Sequence, residues 1–241
     1  MKKYTIVSIL IMFLLICSPK AFAAGHWAEE AMETLISKGI IEGDGNNHYF
    51  PEKQITRAEF TTMIVRLLNL DIVNGGTAFK DVKYGSWYYP YVMTAYSNGL
   101  INGVGNGYFN PDGKINRQEM AKIIAAIPEV KSISASQSAI QFADQNSIAD
   151  WAYPSVQLLV STKLIIGQYD KNGNLVYNPL ANAKRADAST ILARVMEQTG
   201  IGSEIPDVPT GKTEINVTNY PTDFATVVQK QANNSPKVDG A

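Results

Sequence analysis

The sequence has a single cysteine, Cys17, and two histidines, His26 and His48. Cys17 falls within an apolar N-terminal run, so the rest of the chain has no thiol with which to form a disulfide. An exported chain without disulfides is more typical of a bacterial cell surface than of a eukaryotic secreted domain. Nucleophile–base catalysis has few candidate groups here, and no carboxylate pair has a spacing that singles it out. We therefore expect a protein that is not an enzyme and that uses no cofactor and no metal.

The first 23 residues have the pattern of a secretory signal peptide. Lys2 and Lys3 precede an apolar run from Tyr4 to Cys17, which is too short to cross a bilayer comfortably. Ala21-Phe22-Ala23 then supplies small residues at the spacing of a cleavage site. A lipoprotein signal ending at Cys17 is the alternative, but the bulky Ile16 disfavours it. We predict an exported chain that has no membrane segment after cleavage.

Positive charge is also scarce. The whole chain has a net charge of −1, and loss of the three lysines of residues 1–23 leaves −4. A slightly acidic protein is a poor candidate for binding nucleic acid or anionic lipid by bulk electrostatics. An anionic ligand would have to be held by a few placed residues.

One pattern is present three times. Trp27, Trp87 and Trp151 are followed after 30, 30 and 34 residues by Arg57, Arg117 and Arg185. An aromatic-x-Pro element lies six residues before each arginine and ends at Pro51, Pro111 and Pro179. A period of this length indicates copies of one supersecondary unit that pack against each other. This organisation favours a binding scaffold over a catalyst.

Each copy is predicted to be helix, loop, helix, which makes the fold all-α. Apolar residues follow each tryptophan at helical spacing, and apolar stripes that we interpret as core follow each arginine. Gly39 and Gly99 offer C-caps to the first helices, whereas Lys163 stands at that place in the third copy. The third loop is four residues longer, and Asp170 to Asn174 in it is interpreted as a turn because a calcium loop would need an acidic closing ligand.

The arginines stand at the unfavourable end of their helices. Thr56 and Glu59 have the spacing of a capping box, and Asn116 can also cap. A cation in the first turn, however, faces the positive end of the helix dipole, at a cost of roughly 0.3–1 kcal/mol. Either each arginine pairs with an acid, with Asp81 and Asp144 as candidates, or arginine and free helix amides together form an anion site. The residues alone leave these two interpretations even.

The tryptophans also allow two interpretations. They can pack in the core between repeats, which is the favoured one, or they can form a stacking platform for a sugar ring. Further aromatic residues keep the second open: Tyr49, Tyr88, Tyr89, Tyr108, Tyr153 and Tyr177.

These residues together resemble the surface-layer homology (SLH) domain. The resemblance rests on Ile55-Thr56-Arg57-Ala58-Glu59 with its upstream His-Trp-Ala, Gly-Ile-Ile turn and aromatic-x-Pro, and it covers about residues 25–198. It implies three repeats in a pseudo-threefold spindle around a central helical bundle, with grooves between the prongs. It also implies non-covalent anchoring to a secondary cell wall polysaccharide attached to peptidoglycan, often one with pyruvate ketals. The free carboxylate of such a ketal is a charge that the arginines could receive.

The resemblance implies the ligand-binding residues as well. They are Arg57, Arg117, Arg185, Trp27, Trp87, Trp151, Thr56, Glu59, Gly43 and Gly103. The third copy departs most from the family pattern, because Lys184 replaces the N-cap residue and Asp187 shortens the acid. We therefore rank Arg57 first, Arg117 second and Arg185 last.

The expected organisation is a signal peptide at 1–23, repeats at 24–72, 79–130 and 142–200, and a tail at 201–241, with linkers near 70–78 and 128–141. The tail is expected to be disordered, although Tyr220 to Gly240 faintly resembles the lead-in to cell-wall glucosaminidase domains. A truncated peptidoglycan hydrolase is thus the alternative function. A self-assembling surface array is a third, which we disfavour because a lattice would require a large second domain. The expected protein is a monomer on the cell wall, in the S-layer, of a Gram-positive-type bacterium.

Overall fold

The computed structural model describes residues 26–43, 48–135 and 141–208. The predicted signal peptide and most of the predicted tail, including the stretch that resembles a glucosaminidase lead-in, lie outside the described residues. Within these ranges the protein is mainly helical, which confirms the predicted all-α class. No helix in the described ranges is long and apolar enough to cross a membrane.

Each repeat contributes two main helices. The helices that follow the tryptophans are α1 (Glu29–Ser37), α3 (Tyr89–Ser97) and α6 (Tyr153–Ser161). The helices that begin at the repeat arginines are α2 (Arg57–Leu67), α4 (Arg117–Ile124) and α7 (Arg185–Thr199). Pro90 and Pro154 lie in the first turns of α3 and α6, where a missing N–H costs little. The apolar stripes predicted from the sequence are buried in one continuous core.

The chain departs from the predicted linkers at two places. Between the second and third repeats it forms a short helix, α5 (Pro128–Ser132), because Pro128 favours a helix start and Val130 is buried. After the third repeat, residues 201–208 continue along the first repeat. The Val208 amide donates to the Ser37 carbonyl (2.6 Å) and Lys38 Nζ donates to the Ile205 carbonyl (2.6 Å).

The longer loop of the third repeat contains a two-stranded antiparallel hairpin, β1 (Gln168–Tyr169) and β2 (Leu175–Val176). Its turn is held by Asp170, whose carboxylate accepts the amides of Asn172 and Asn174 (2.8 Å each). The predicted turn is therefore confirmed. Among the described residues there is also no group of His, Cys, Asp or Glu side chains that could hold a metal ion.

Helices pair between repeats. The second helix of one repeat packs on the first helix of the next, α2 on α3 and α4 on α6, and α7 packs back on α1. The three repeats therefore close into a ring, as a pseudo-threefold spindle requires.

The ring closes on a cycle of three backbone hydrogen bonds. Ile55 N–H donates to the Ala183 carbonyl (3.0 Å), Ala183 N–H to the Ile115 carbonyl (2.8 Å), and Ile115 N–H to the Ile55 carbonyl (3.2 Å). All three residues are fully buried. Each of them lies two residues before a repeat arginine, so the cycle places the starts of α2, α4 and α7 around one centre.

Candidate functional site

Each repeat arginine reaches into the loop of the following repeat. Nε of Arg57 donates to the Phe109 carbonyl (2.8 Å), Nε of Arg117 to the Tyr177 carbonyl (2.8 Å), and Nε of Arg185 to the Tyr49 carbonyl (2.9 Å). The acceptor is in every case the aromatic residue of an aromatic-x-Pro element. The arginines thus connect neighbouring repeats around the ring.

The acidic partners differ from those predicted. Arg57 Nη1 lies 3.4 Å from Glu119 Oε1, and Arg117 Nη1 lies 3.5 Å from Asp187 Oδ1. The sequence-based candidates Asp81 and Asp144 are wrong as direct partners of the arginines, because each of them accepts two backbone amides of an aromatic-x-Pro turn instead. The actual partner is the capping acid at the start of the next repeat's second helix, and pairing with it offsets the unfavourable dipole position. Burial lowers the pKa of Arg57, although nearby Glu119 and Asp81 oppose that shift.

Asp81 and Asp144 instead hold the aromatic-x-Pro turns. Asp81 accepts the amides of Phe109 (2.8 Å) and Asn110 (2.7 Å), and Asp144 accepts those of Tyr177 (2.8 Å) and Asn178 (2.7 Å). Both asparagines have positive φ, which a short polar side chain tolerates. The carboxylates fix the carbonyls that receive Arg57 and Arg117.

The helix-start amides are not free for an anion. The Arg57 and Ala58 amides donate to the Gly113 (2.9 Å) and Pro111 (3.0 Å) carbonyls of the second repeat. The other two repeat arginines and the residues that follow them, Gln118 and Ala186, donate to the next repeat in the same way. Of the two interpretations that the sequence left open, the anion site built on free helix amides is therefore wrong for these amides, because the ring closure uses them.

The capping box predicted at Thr56 and Glu59 is confirmed, and so is Asn116 as a cap. The Glu59 amide donates to Thr56 Oγ1 (3.1 Å), and Glu59 Oε2 accepts the Thr56 amide (2.8 Å). Asn116 and Glu119 form the same pair of bonds at the start of α4. In the third repeat one half of the capping box is missing. The Lys184 side chain accepts no amide, but its own backbone amide donates to the Asp187 carboxylate (2.9 Å). These contacts give Thr56 and Glu59 a structural role.

Gly43 and Gly103 lie where two segments of the loop backbone approach each other closely. A Cβ at Gly43 would stand 2.7 Å from the His48 carbonyl oxygen, and one at Gly103 would overlap the Tyr108 carbonyl oxygen. Both positions therefore need glycine to shape the loop between the two helices of a repeat.

The sequence analysis favoured packing of the tryptophans in the core, but the structure places them at or near the surface. Trp27 is 62% exposed and Trp151 is 50% exposed, while Trp87 is half-buried. Of the further aromatics, Tyr177 and Tyr89 are buried and Tyr108 and Tyr153 are exposed. Since apolar residues of the first helices already fill the core, the indole rings remain at the surface.

A groove of about 600 Å³ combines residues from all three repeats. Arg57 comes from the first repeat, Gly103 from the second and Trp151 from the third, and we call this space groove 1. Glu119, Lys122 and Lys131 also line it. Sequence reasoning missed the two lysines, because they belong to one copy only and a search for repeated residues passes over them.

The fold and this groove define a ring of three helical repeats with a charged, aromatic-lined cleft between them. A family model, the S-layer homology domain, matches residues 23–61, 78–121 and 141–189. The chain therefore belongs to the S-layer homology domain family, as its sequence motifs indicated. Membership supports a cell-surface location.

Relatives with different overall roles share this region. The chain is 36% identical to an amylopullulanase of Thermoanaerobacterium thermosulfurigenes over 73% of its length, and the match covers 9% of that enzyme. It is 33% identical over 71% of its length to the surface-layer 125 kDa protein of Lysinibacillus sphaericus, covering 14% of that protein. It is 28% identical over 89% to the S-layer protein sap of Bacillus anthracis, covering 25%. The chain thus spans a quarter or less of the length of these three relatives. Because the match covers only 9% of the amylopullulanase, the activity of that enzyme is not attributed to this chain.

Proposed function

We propose that this protein anchors non-covalently to the cell wall by binding an anionic, pyruvylated secondary polysaccharide attached to peptidoglycan. The observation that carries the proposal is groove 1, where an exposed indole and several cations from different repeats share one cleft. A sugar ring can stack on Trp151, and a ketal carboxylate can be received by cations beside it. The other predicted contacts, at Arg117, Arg185, Trp27 and Trp87, belong to the two remaining repeat junctions.

The shared family supports the proposal. Two of the three relatives described above are surface-layer proteins, and the third is an enzyme that acts on a polysaccharide and shares only this region. A common wall-binding module is the function that proteins of such different size can share. We propose that it acts as a monomer outside the membrane, since the cleft is built within one chain.

Co-sedimentation with purified cell-wall sacculi tests this function. We expect residues 24–241 to bind intact sacculi and not sacculi stripped of their secondary polysaccharide by mild acid. Trp151→Ala should weaken binding at least several-fold because it removes the stacking surface. Tyr84→Ala, which removes an 82% exposed aromatic that does not line groove 1, should bind as the wild type does.

Two outcomes would contradict the proposal. Equal binding to intact and stripped sacculi would move the target to peptidoglycan itself. Binding to neither would mean that the protein does not anchor to the wall.

A further inference from the structure

The three repeat junctions differ in what fills them. Nine residues after the repeat arginines stand Arg66 in the first repeat, Ala126 in the second and Arg194 in the third. Ala126 lines groove 1, together with Gly99 and Leu100 of the loop that follows α3. The two arginines approach the corresponding loops of their own repeats.

Arg66 and Arg194 occupy those loops with their side chains. Arg66 Nη1 lies 3.4 Å from the Gly39 carbonyl oxygen and 3.0 Å from Glu42 Oε1, and its guanidinium stacks on the Tyr91 ring. Arg194 Nη1 donates to the Leu164 carbonyl (3.1 Å). Gly39 and Leu164 correspond to Gly99 and Leu100. An alanine in the second repeat leaves open the space that a guanidinium takes in the other two.

The cations of groove 1 differ in how many of their N–H donors already have partners within the protein. Arg57 is only 5% exposed and binds two carbonyls as well as Glu119, so most of its donors are used. Lys122 and Lys131 are exposed, and their ammonium groups make no hydrogen bond or ion pair with the described residues. The positions equivalent to Lys122 are Thr62 and Thr190. Lys131 is carried into the groove by α5.

We propose that groove 1 is the groove with which this protein binds its ligand, and that Lys122 and Lys131 receive the ligand's anionic group. The proposal rests on the wall-binding function proposed above. Arg57 then acts mainly as a brace that holds the Asn102 and Phe109 carbonyls in place. The ligand is an anionic sugar whose ring stacks on Trp151 while its charged substituent lies between the two ammonium groups.

Quantitative binding to intact sacculi, with residues 24–241 and their variants, tests the two lysines. Lys122→Gln/Lys131→Gln should bind about tenfold more weakly than the wild type and should lose part of the salt dependence. The double change to arginine, which retains both charges, should restore most of the binding. Lys171→Gln removes another exposed charge, at the hairpin turn outside groove 1, and should have no effect.

The openness of the groove is tested separately by Ala126→Arg. This change introduces the residue found at the other two junctions and should weaken binding at least tenfold although both lysines remain. Thermal melting of each variant checks its fold. Since both lysines are exposed, their replacement should leave the melting temperature unchanged, so the proposal stays testable even where Ala126→Arg does not fold.

The outcomes separate this proposal from the function on which it rests. If Trp151→Ala weakens binding while Lys122→Gln/Lys131→Gln binds as the wild type does, the lysine site is overturned and wall binding stands. Equal weakening by Lys171→Gln would overturn it as well, because the effect would then be one of bulk charge. A wild-type protein that binds no sacculi overturns both.

Discussion

The three repeats have different residues at one position where the backbone is in the left-handed conformation in every copy. Gly39, Gly99 and Lys163 follow the first helices with φ of +65°, +68° and +60°. Lysine pays a steric cost in this left-handed region that glycine does not, because its Cβ approaches the backbone. The third repeat therefore keeps a local strain that the other two avoid.

Replacing Lys163 with glycine should relieve that strain. We expect Lys163→Gly to raise the free energy of unfolding by about 1 kcal/mol and the melting temperature by about 2–4 °C. The matched reverse change is Gly99→Lys, whose Cβ would meet no atom within 4 Å, so only the backbone conformation is tested. It should lower stability by a similar amount. Urea denaturation measures both, and an unchanged midpoint for both variants would argue against strain at these positions.

At the scale of elements, the aromatic-x-Pro turn determines where each second helix meets the next repeat. Its carbonyls accept the repeat arginine and the first helix amides, and in the second and third repeats an aspartate holds the turn from behind. Asp81 therefore acts on the loop and not on the arginine. The first repeat adopts the same turn with Phe50 at positive φ.

Asp81→Asn tests this assignment. An amide has one acceptor oxygen in place of two, so one of the Phe109 and Asn110 amides would lose its partner. We expect a loss of about 1–2 kcal/mol in unfolding free energy, measured with urea. Asp112→Asn, at an exposed acid in the same turn, removes the same charge and should change little. A similar loss in both variants would mean that charge and not the turn bonds matters.

At the scale of the whole molecule, stability depends on closing the ring. Among the described residues the first helix, α1, packs on the last, α7, and the Ile55 amide has its partner in Ala183, far away in the sequence. In any two repeats taken alone, at least one helix lacks the helix of the third repeat on which it packs. The repeats should therefore unfold together, unlike those of an open solenoid, where each repeat meets only its neighbours.

A chain ending at residue 135 should fail to fold cooperatively. It lacks α7, so Met32 and Leu35 of α1 would be exposed to water. Differential scanning calorimetry should show one transition for the full chain and none for the fragment. A chain ending at 208 keeps every contact described above and should melt like the full chain. A sharp transition in the short fragment would show that two repeats suffice.

Local structure and family membership could both be predicted from the sequence. Apolar residues at helical spacing predicted the helices, and the pair Thr56–Glu59 and the residue Asn116 predicted two of the caps, because both features depend on residues only a few positions apart. Repetition of one pattern predicted three equivalent units. Lys163 and the α5 segment show the limit of such reasoning, because a repeated pattern does not predict the structure of the features that occur in one copy only.

Contacts between residues that are distant in the sequence became visible only in the folded protein. The acid that pairs with Arg57 is 62 positions away, and groove 1 draws Arg57, Gly103 and Trp151 from three repeats. Ring closure uses the helix amides and leaves Trp27 and Trp151 at the surface, which local patterns could not indicate. A repeat pattern predicts which apolar residues each unit buries, but the partners of its polar groups depend on how the units pack around the common axis.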